Sequence, residues 1–198
     1  MSDLDPINIV VFGSGAVGKS CITVQFTQAR FIEDYDPTFE DQYTKFVVHD
    51  GIRYQFHIFD TSGEEFFETT RAPYIKTGNA FLIIYSIDDR YSFSAVERIY
   101  KTIIHVRGTD EIPMVICGNK CDLEKRRVVK TEEGEELCNR LKCPFFETSA
   151  KTYHNIHNAY HCLLDRYLEL MKMKENKPND DQEATNCKNP DKKDCILI

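Results

Sequence analysis

The chain has no Cys-x-x-Cys pair, no long basic run, and no apolar stretch near the roughly 20 residues needed to span a bilayer. Each absence removes a class of protein. Eight cysteines in a chain of 198 residues do not form a disulfide framework, because a chain of this length can bury a full core without one. Cys117 and Cys121 fall in an apolar, strand-like stretch and the loop after it, and read as reduced thiols rather than a metal site. That usage fits a reducing cytosol. A net charge of −7 without a basic run argues against nucleic acid as a partner. The N-terminal residues Met1-Ser2-Asp3-Leu4-Asp5-Pro6 are acidic where a secretory signal is basic. Membrane attachment is therefore expected to be covalent or peripheral.

What the chain does have is a globular composition, 41% hydrophobic and 29% charged, laid out as alternating elements. Residues 7–12, 80–87, 114–117 and 144–147 are short apolar or β-branched runs and predict buried strands. Residues 43–49 and 52–59 predict two more strands, joined by the hairpin signal Asp50-Gly51. Helices are expected over about 19–29, 91–106, 132–140 and 155–173. The last carries Ile156, Ala159, Tyr160, Leu163, Leu164, Tyr167, Leu168 and Met171 at helical spacing, a core-facing stripe. Residues 31–42 read as a loop, and Pro73 is expected to interrupt any helix near 60–73. The expected fold is α/β: a mostly parallel six-stranded sheet with one antiparallel edge strand and helices on both faces. In such sheets ligands bind beyond the carboxyl ends of the strands, and the chemistry-bearing segments lie just there.

Gly13-Ser14-Gly15-Ala16-Val17-Gly18-Lys19-Ser20 follows the first strand and opens the first helix. It fits the phosphate-loop pattern Gly-x4-Gly-Lys-Ser/Thr. Its glycines let consecutive backbone N–H groups converge on phosphate oxygens, and the helix N-terminus adds a positive end. Lys19 is expected to reach the β- and γ-phosphates and Ser20 to ligate Mg²⁺. Asn119-Lys120-Cys121-Asp122 follows the fifth strand. The Asp122 carboxylate can accept from guanine N1–H and the 2-amino group, where adenine offers an acceptor and no amine. Taken alone this segment also fits an ordinary polar loop; behind a phosphate loop it is far more specific.

Glu147-Thr148-Ser149-Ala150-Lys151 follows the sixth strand. With it, the chain resembles the Ras family of small GTPases over about residues 7–172, all nucleotide motifs in their usual order. The short connection between the two base-side segments is similar to the Ras branch more than the Rho branch. The resemblance implies a P-loop NTPase fold for residues 1–172 and a hypervariable tail over 173–198. It implies that GTP or GDP is bound with Mg²⁺, with Phe31, Asn119, Lys120, Asp122, Ser149, Ala150 and Lys151 around guanine. A core aromatic is the lesser reading of Phe31. Tyr35-Asp36-Pro37-Thr38-Phe39-Glu40-Asp41 looks like the first switch and effector segment. Asp60-Thr61-Ser62-Gly63 looks like the second switch. Ser20, Thr38 and Asp60 would hold Mg²⁺; Thr38 and Gly63 would sense the γ-phosphate; Lys19, Thr38, Gly63 and residue 64 would be catalytic. Effector proteins, exchange factors and GTPase activators are implied as partners of a monomer.

The chain departs from this pattern in two places. Glu64 stands where the family usually has a water-orienting glutamine. A carboxylate cannot donate to the γ-phosphate and adds charge beside it, which slows hydrolysis; it is also a stronger acceptor and can serve as a general base. Ala16 replaces a common glycine, which is tolerated at negative φ. Phe66 and Phe67 offer either a partner surface or inward packing.

Past residue 172 the apolar period stops and polar residues dominate, as in a flexible linker. The chain ends Cys195-Ile196-Leu197-Ile198, a match to a prenylation signal. One lipid needs a second signal; Cys187 is either a palmitoylation site or a plain thiol. The expected location is the cytoplasmic face of a membrane, the plasma membrane foremost. Three readings remain at this point: a hydrolysing switch, a constitutively GTP-bound scaffold, and an ATP-using phosphoryl transferase, the last disfavoured by Asp122.

Overall fold

Ile7–Gly13 is apolar and β-branched along most of its length, and it forms the central strand β1. The computed structural model describes residues 5–31, 40–63 and 68–175. Around β1 stand β2 (Glu40–His49), β3 (Ile52–Thr61), β4 (Ala80–Ser86), β5 (Met114–Asn119) and β6 (Phe145–Glu147). The sheet has six strands in the order β2-β3-β1-β4-β5-β6. All pairs are parallel except β2–β3, which is antiparallel and leaves β2 at one edge. Asp50 and Gly51 turn that hairpin with φ of 48° and 77°, the left-handed pair that two-residue hairpins favour. The expected fold class is observed.

Among the described residues, five α-helices flank the sheet: α1 (Lys19–Gln28), α2 (Glu68–Thr77), α3 (Arg90–Arg107), α4 (Thr131–Leu141) and α5 (Ile156–Glu175). The period-2 alternation of the strands divides the core in two. Ala80, Leu82 and Ile84 of β4 face one cluster, with Ile22 and Phe26 of α1 and Tyr160, Leu163 and Leu164 of α5. Phe81, Ile83 and Tyr85 face the other, with Val96, Ile99 and Ile103 of α3 and Leu137 of α4. Phe26 and Tyr160 stack at 3.8 Å between ring centroids, locking α1 to α5. Each such fully buried large side chain contributes about 1.5–3 kcal/mol. This fixes the start of α1, and with it the phosphate loop.

Three sequence expectations need correction. The loop over 31–42 is too long, because β2 begins at Glu40, which pairs with Thr61 while Asp41 pairs with Asp60. Alternation there is masked by polar residues, since an edge strand leaves one face to water. Pro73 does not end the helix; it lies inside α2. Ile75, 1% exposed, anchors that helix in the core, and Arg107 donates from Nη1 to the carbonyls of Ile75, Lys76 and Gly78 at 3.2, 3.0 and 3.0 Å. Those contacts offset the one backbone bond that proline removes. The stripe on α5 is buried through Leu164, with Tyr167 and Leu168 packed against the core, but Met171 is exposed.

Candidate functional site

β1 delivers Gly13 and α1 begins at Lys19, so 14–18 form the loop between them. Val17 is 0% exposed and belongs to the core; its side chain anchors the loop. Gly18 caps the helix at φ 94°, and a Cβ there would strike the Asn119 side-chain amide. Glycine is required on both counts. The condition under which alanine is tolerated in place of glycine at position 16, a negative φ, is not met: φ is 58°. The left-handed turn costs an alanine about 1 kcal/mol, which the surrounding loop imposes. Lys19 is 6% exposed, and its ammonium folds over the loop to donate to Ser14 O at 2.9 Å.

The end of β3 brings a carboxylate to this loop. Asp60 is 0% exposed, and neither of its oxygens has a partner at hydrogen-bond geometry. Burial drives its carboxyl up to about 6, although Ser20 and Lys19 stand near enough to pull it down. A buried, orphaned carboxylate beside a serine hydroxyl and a phosphate cradle suits a hard divalent cation. Gly63 lies against the cradle: a Cβ on it would fall 2.5 Å from Gly15 N and 2.7 Å from Lys19 Nζ.

From the other side come the ends of β5 and β6. Asn119, the last residue of β5, is buried; its Nδ2 donates to Val17 O at 2.8 Å and its Oδ1 accepts from Thr148 Oγ1 at 3.3 Å. Lys120 takes φ 65°, and its ammonium donates to Ala16 O at 2.8 Å. Asp122 lies exposed on the short 3-10 helix Cys121–Arg126, where Ser149 Oγ donates to its Oδ1 at 2.5 Å. Ala150 is held from below, its carbonyl accepting from Gln25 Nε2 at 2.9 Å. Lys151 is exposed and Phe31 partly buried against the first core cluster. Thus the phosphate loop, Asp60, Gly63 and both base-side segments meet at the carboxyl edge of the sheet.

Tyr35, Asp36, Pro37, Thr38, Phe39, Glu64, Phe66, Phe67, Cys187 and Cys195 lie outside the described residues. Glu40 does not: its carboxylate accepts from Tyr74, which pushes the phenol up to about 12 and ties β2 to α2. The sequence offers no sign of Asp88, whose carboxylate lies 4.0 Å from Lys120 Nζ and 3.0 Å from Arg126. Nor did it single out Gln25 or Arg127. Their partners are more than 100 residues away for Gln25 and 20 away for Arg127, and no local pattern announces such pairs.

The family described as Ras family matches residues 8–169. The chain belongs to the Ras family. It is 40% identical over 192 residues to a Ras-like protein rasS of Dictyostelium discoideum, covering 96% of this chain and 97% of that one. It is 44% identical over 163 residues to a Ras-like protein RAS2 of Hydra vulgaris, covering 82% and 85%. A Ras-like protein of Laccaria bicolor is 42% identical over 156 residues, covering 79% and 75%. As a Ras-family small GTPase it is a GTP-binding switch, and family members bind GTP or GDP, typically with Mg²⁺.

Proposed function

We propose that this Ras-family chain is a membrane-tethered GTP/GDP switch whose hydrolysis is set by Glu64. The observation that supports it most is the meeting at one sheet edge of a closed phosphate loop, an orphaned buried carboxylate and a base-side pair, Asp122 and Ser149, already in contact. The backbone of 13–18 and the ammonium of Lys19 bind phosphate. Asp122 selects guanine by accepting from N1–H and the 2-amino group, the Ser149 and Ala150 backbone meets its carbonyl, and Lys120, Lys151 and Phe31 flank base and sugar. Ser20, Thr38 and Asp60 would hold Mg²⁺, which when bound neutralises phosphate charge. Gly63 and Thr38 order the two switch segments on a γ-phosphate and release them when it leaves.

Effectors engage Tyr35–Asp41 and the free edge of β2. Exchange factors and activators act on the same switch segments, and the protein works as a monomer. Cys195 carries the lipid, with Cys187 as second signal, on the cytoplasmic face of the plasma membrane. The boundary of the folded domain is set at about residue 172, with the tail as tether. Among the described residues no helix is long and apolar enough to cross a membrane.

The test is single-turnover GTP hydrolysis by the full chain beside Glu64→Gln. Hydrolysis by the natural protein as fast as the variant's makes Glu64 a working substitute. Hydrolysis by the variant alone makes the chain a GTP-loaded scaffold.

A further inference from the structure

Arg127 closes the 3-10 helix that carries Asp122. Its guanidinium is mostly buried, with a side-chain exposure of 14%, and so is the carboxylate it grips, Glu147, at 18%. The grip is bidentate: Nη1 donates to Oε1 at 2.6 Å and Nη2 to Oε2 at 3.0 Å. The remaining donors are also used. Nε donates to both oxygens of Glu124 at 3.0 and 2.9 Å, and Nη1 to Val129 O at 3.0 Å. Thr131 Oγ1 donates to Glu147 Oε1 at 3.0 Å, and Asn155 Nδ2 to the Glu147 carbonyl at 3.0 Å.

This differs from a surface ion pair in geometry and placement. A planar fork matched to a carboxylate in a mostly buried setting is rigid, and losing one member strands the other. Placement matters more. Glu147 is the last residue of β6, one step before Thr148 and two before Ser149. Arg127 lies five residues after Asp122. The clamp therefore ties the two turns that must face one base. Between those turns the other ties include the bonds from Cys121 N to Thr148 O at 3.1 Å and from Thr148 N to Gly118 O at 2.9 Å, the Asn119–Thr148 contact, and the Ser149–Asp122 hydroxyl bond. Asp122 is exposed and its turn begins with a left-handed Lys120, so its position depends on what holds the far end of that turn.

We propose that Arg127, acting through Glu147, is a positioning residue for guanine: it holds Asp122 in register with Ser149 and so sets both nucleotide release and selection for the 2-amino group. The inference rests on the reading of Asp122 given above, and the experiment separates the two.

Release of GDP and of inosine diphosphate, which lacks the 2-amino group, is measured from the full chain with Mg²⁺. The natural protein is expected to release inosine diphosphate about ten-fold faster or more, as loss of a hydrogen bond to a charged acceptor demands. Equal rates would refute the role of Asp122, and the proposal with it. Arg127→Ala is expected to release GDP about ten-fold faster while inosine diphosphate release changes far less, so the ratio between them shrinks. Arg127→Ala with Glu147→Gln should release GDP no faster than the faster-releasing of the two single variants. If Arg127→Ala speeds both nucleotides by one factor, its part is merely structural and the proposal is overturned. Should that variant fail to fold, Arg127→Lys keeps the charge and loses the fork. A reduced ratio in Arg127→Lys supports the clamp, and an unchanged ratio overturns it.

Discussion

Gly63 packs onto Gly15 so closely that a methyl group on it would fall 2.5 Å from both the nitrogen and the α-carbon of Gly15. The same methyl would meet Lys19 Nζ at 2.7 Å. No flexible side-chain end can absorb the first two contacts, because both atoms are backbone. Gly63→Ala is therefore expected to push the 60–63 segment off the phosphate loop. Its affinity for GTP should fall about ten-fold or more, equivalent to about 1.4 kcal/mol, and its affinity for GDP much less. Displacement of a fluorescent GDP by each nucleotide measures both. Equal losses would place Gly63 outside γ-phosphate sensing.

Asp60 is costly to the nucleotide-free fold, because burial of its carboxylate outweighs the Ser20 hydroxyl and Lys19 ammonium nearby. Asp60→Asn should raise the stability of the nucleotide-free protein by about 1–3 kcal/mol. It should also abolish the rise in melting temperature that Mg²⁺ brings in the presence of GDP. Denaturant unfolding without nucleotide and melting with and without Mg²⁺ test the two halves. A destabilised nucleotide-free variant would mean that the carboxylate is satisfied in solution.

Ala16→Gly removes the Cβ from a left-handed residue. Relief of about 1 kcal/mol is partly offset by the greater freedom of glycine in the unfolded chain, leaving a net gain of about 0.5 kcal/mol. Melting of the nucleotide-free protein reads it. A loss of stability would contradict a positive φ at this position.

His161 sits in a histidine cluster between α5 and the β2–β3 hairpin. It stacks on His157 at 3.9 Å and lies 5.9 Å from His49, while Asp165 faces the same cluster and accepts from His49 at 3.0 Å. Burial first, then the neighbouring histidine charges, hold the His161 pKa below the usual value; Asp165 acts the other way. A histidine depressed in the folded state resists protonation there. Its stabilising effect is present above the unfolded pKa of about 6.5 and is lost as pH falls towards the folded value. Urea midpoints should thus drop between pH 7.5 and 5.5, less so in His161→Gln. Asp165→Asn should steepen the drop, since it removes the carboxylate that favours charged histidine. An identical pH profile in His161→Gln would exclude it as the source.

Much of this fold and site is legible in the sequence. The phosphate loop, Asn119–Asp122 and Glu147–Lys151 each sit just past an apolar run, and the carboxyl-edge rule then brings them together. What escaped was set by contacts distant in sequence. Pro73 looked like a helix stop because its local penalty is visible, whereas the Arg107 guanidinium and buried Ile75 that offset it are not. The sign of φ at Ala16 is imposed by the loop around it. Arg127 stands in the run Lys125-Arg126-Arg127, which resembles a solvated charge cluster until Glu147 is placed beside it.

Arg107 has a consequence for how a signal can spread. By holding three carbonyls at the C-terminal end of α2, it rivets that end to α3. Gly63, at the other end of the same stretch, abuts the phosphate loop. The 75–78 end is thus held fixed against α3, while Gly63 rests on the phosphate loop. A partner that docks on the far side of that rivet meets a surface that cannot shift without breaking the three bonds from Arg107.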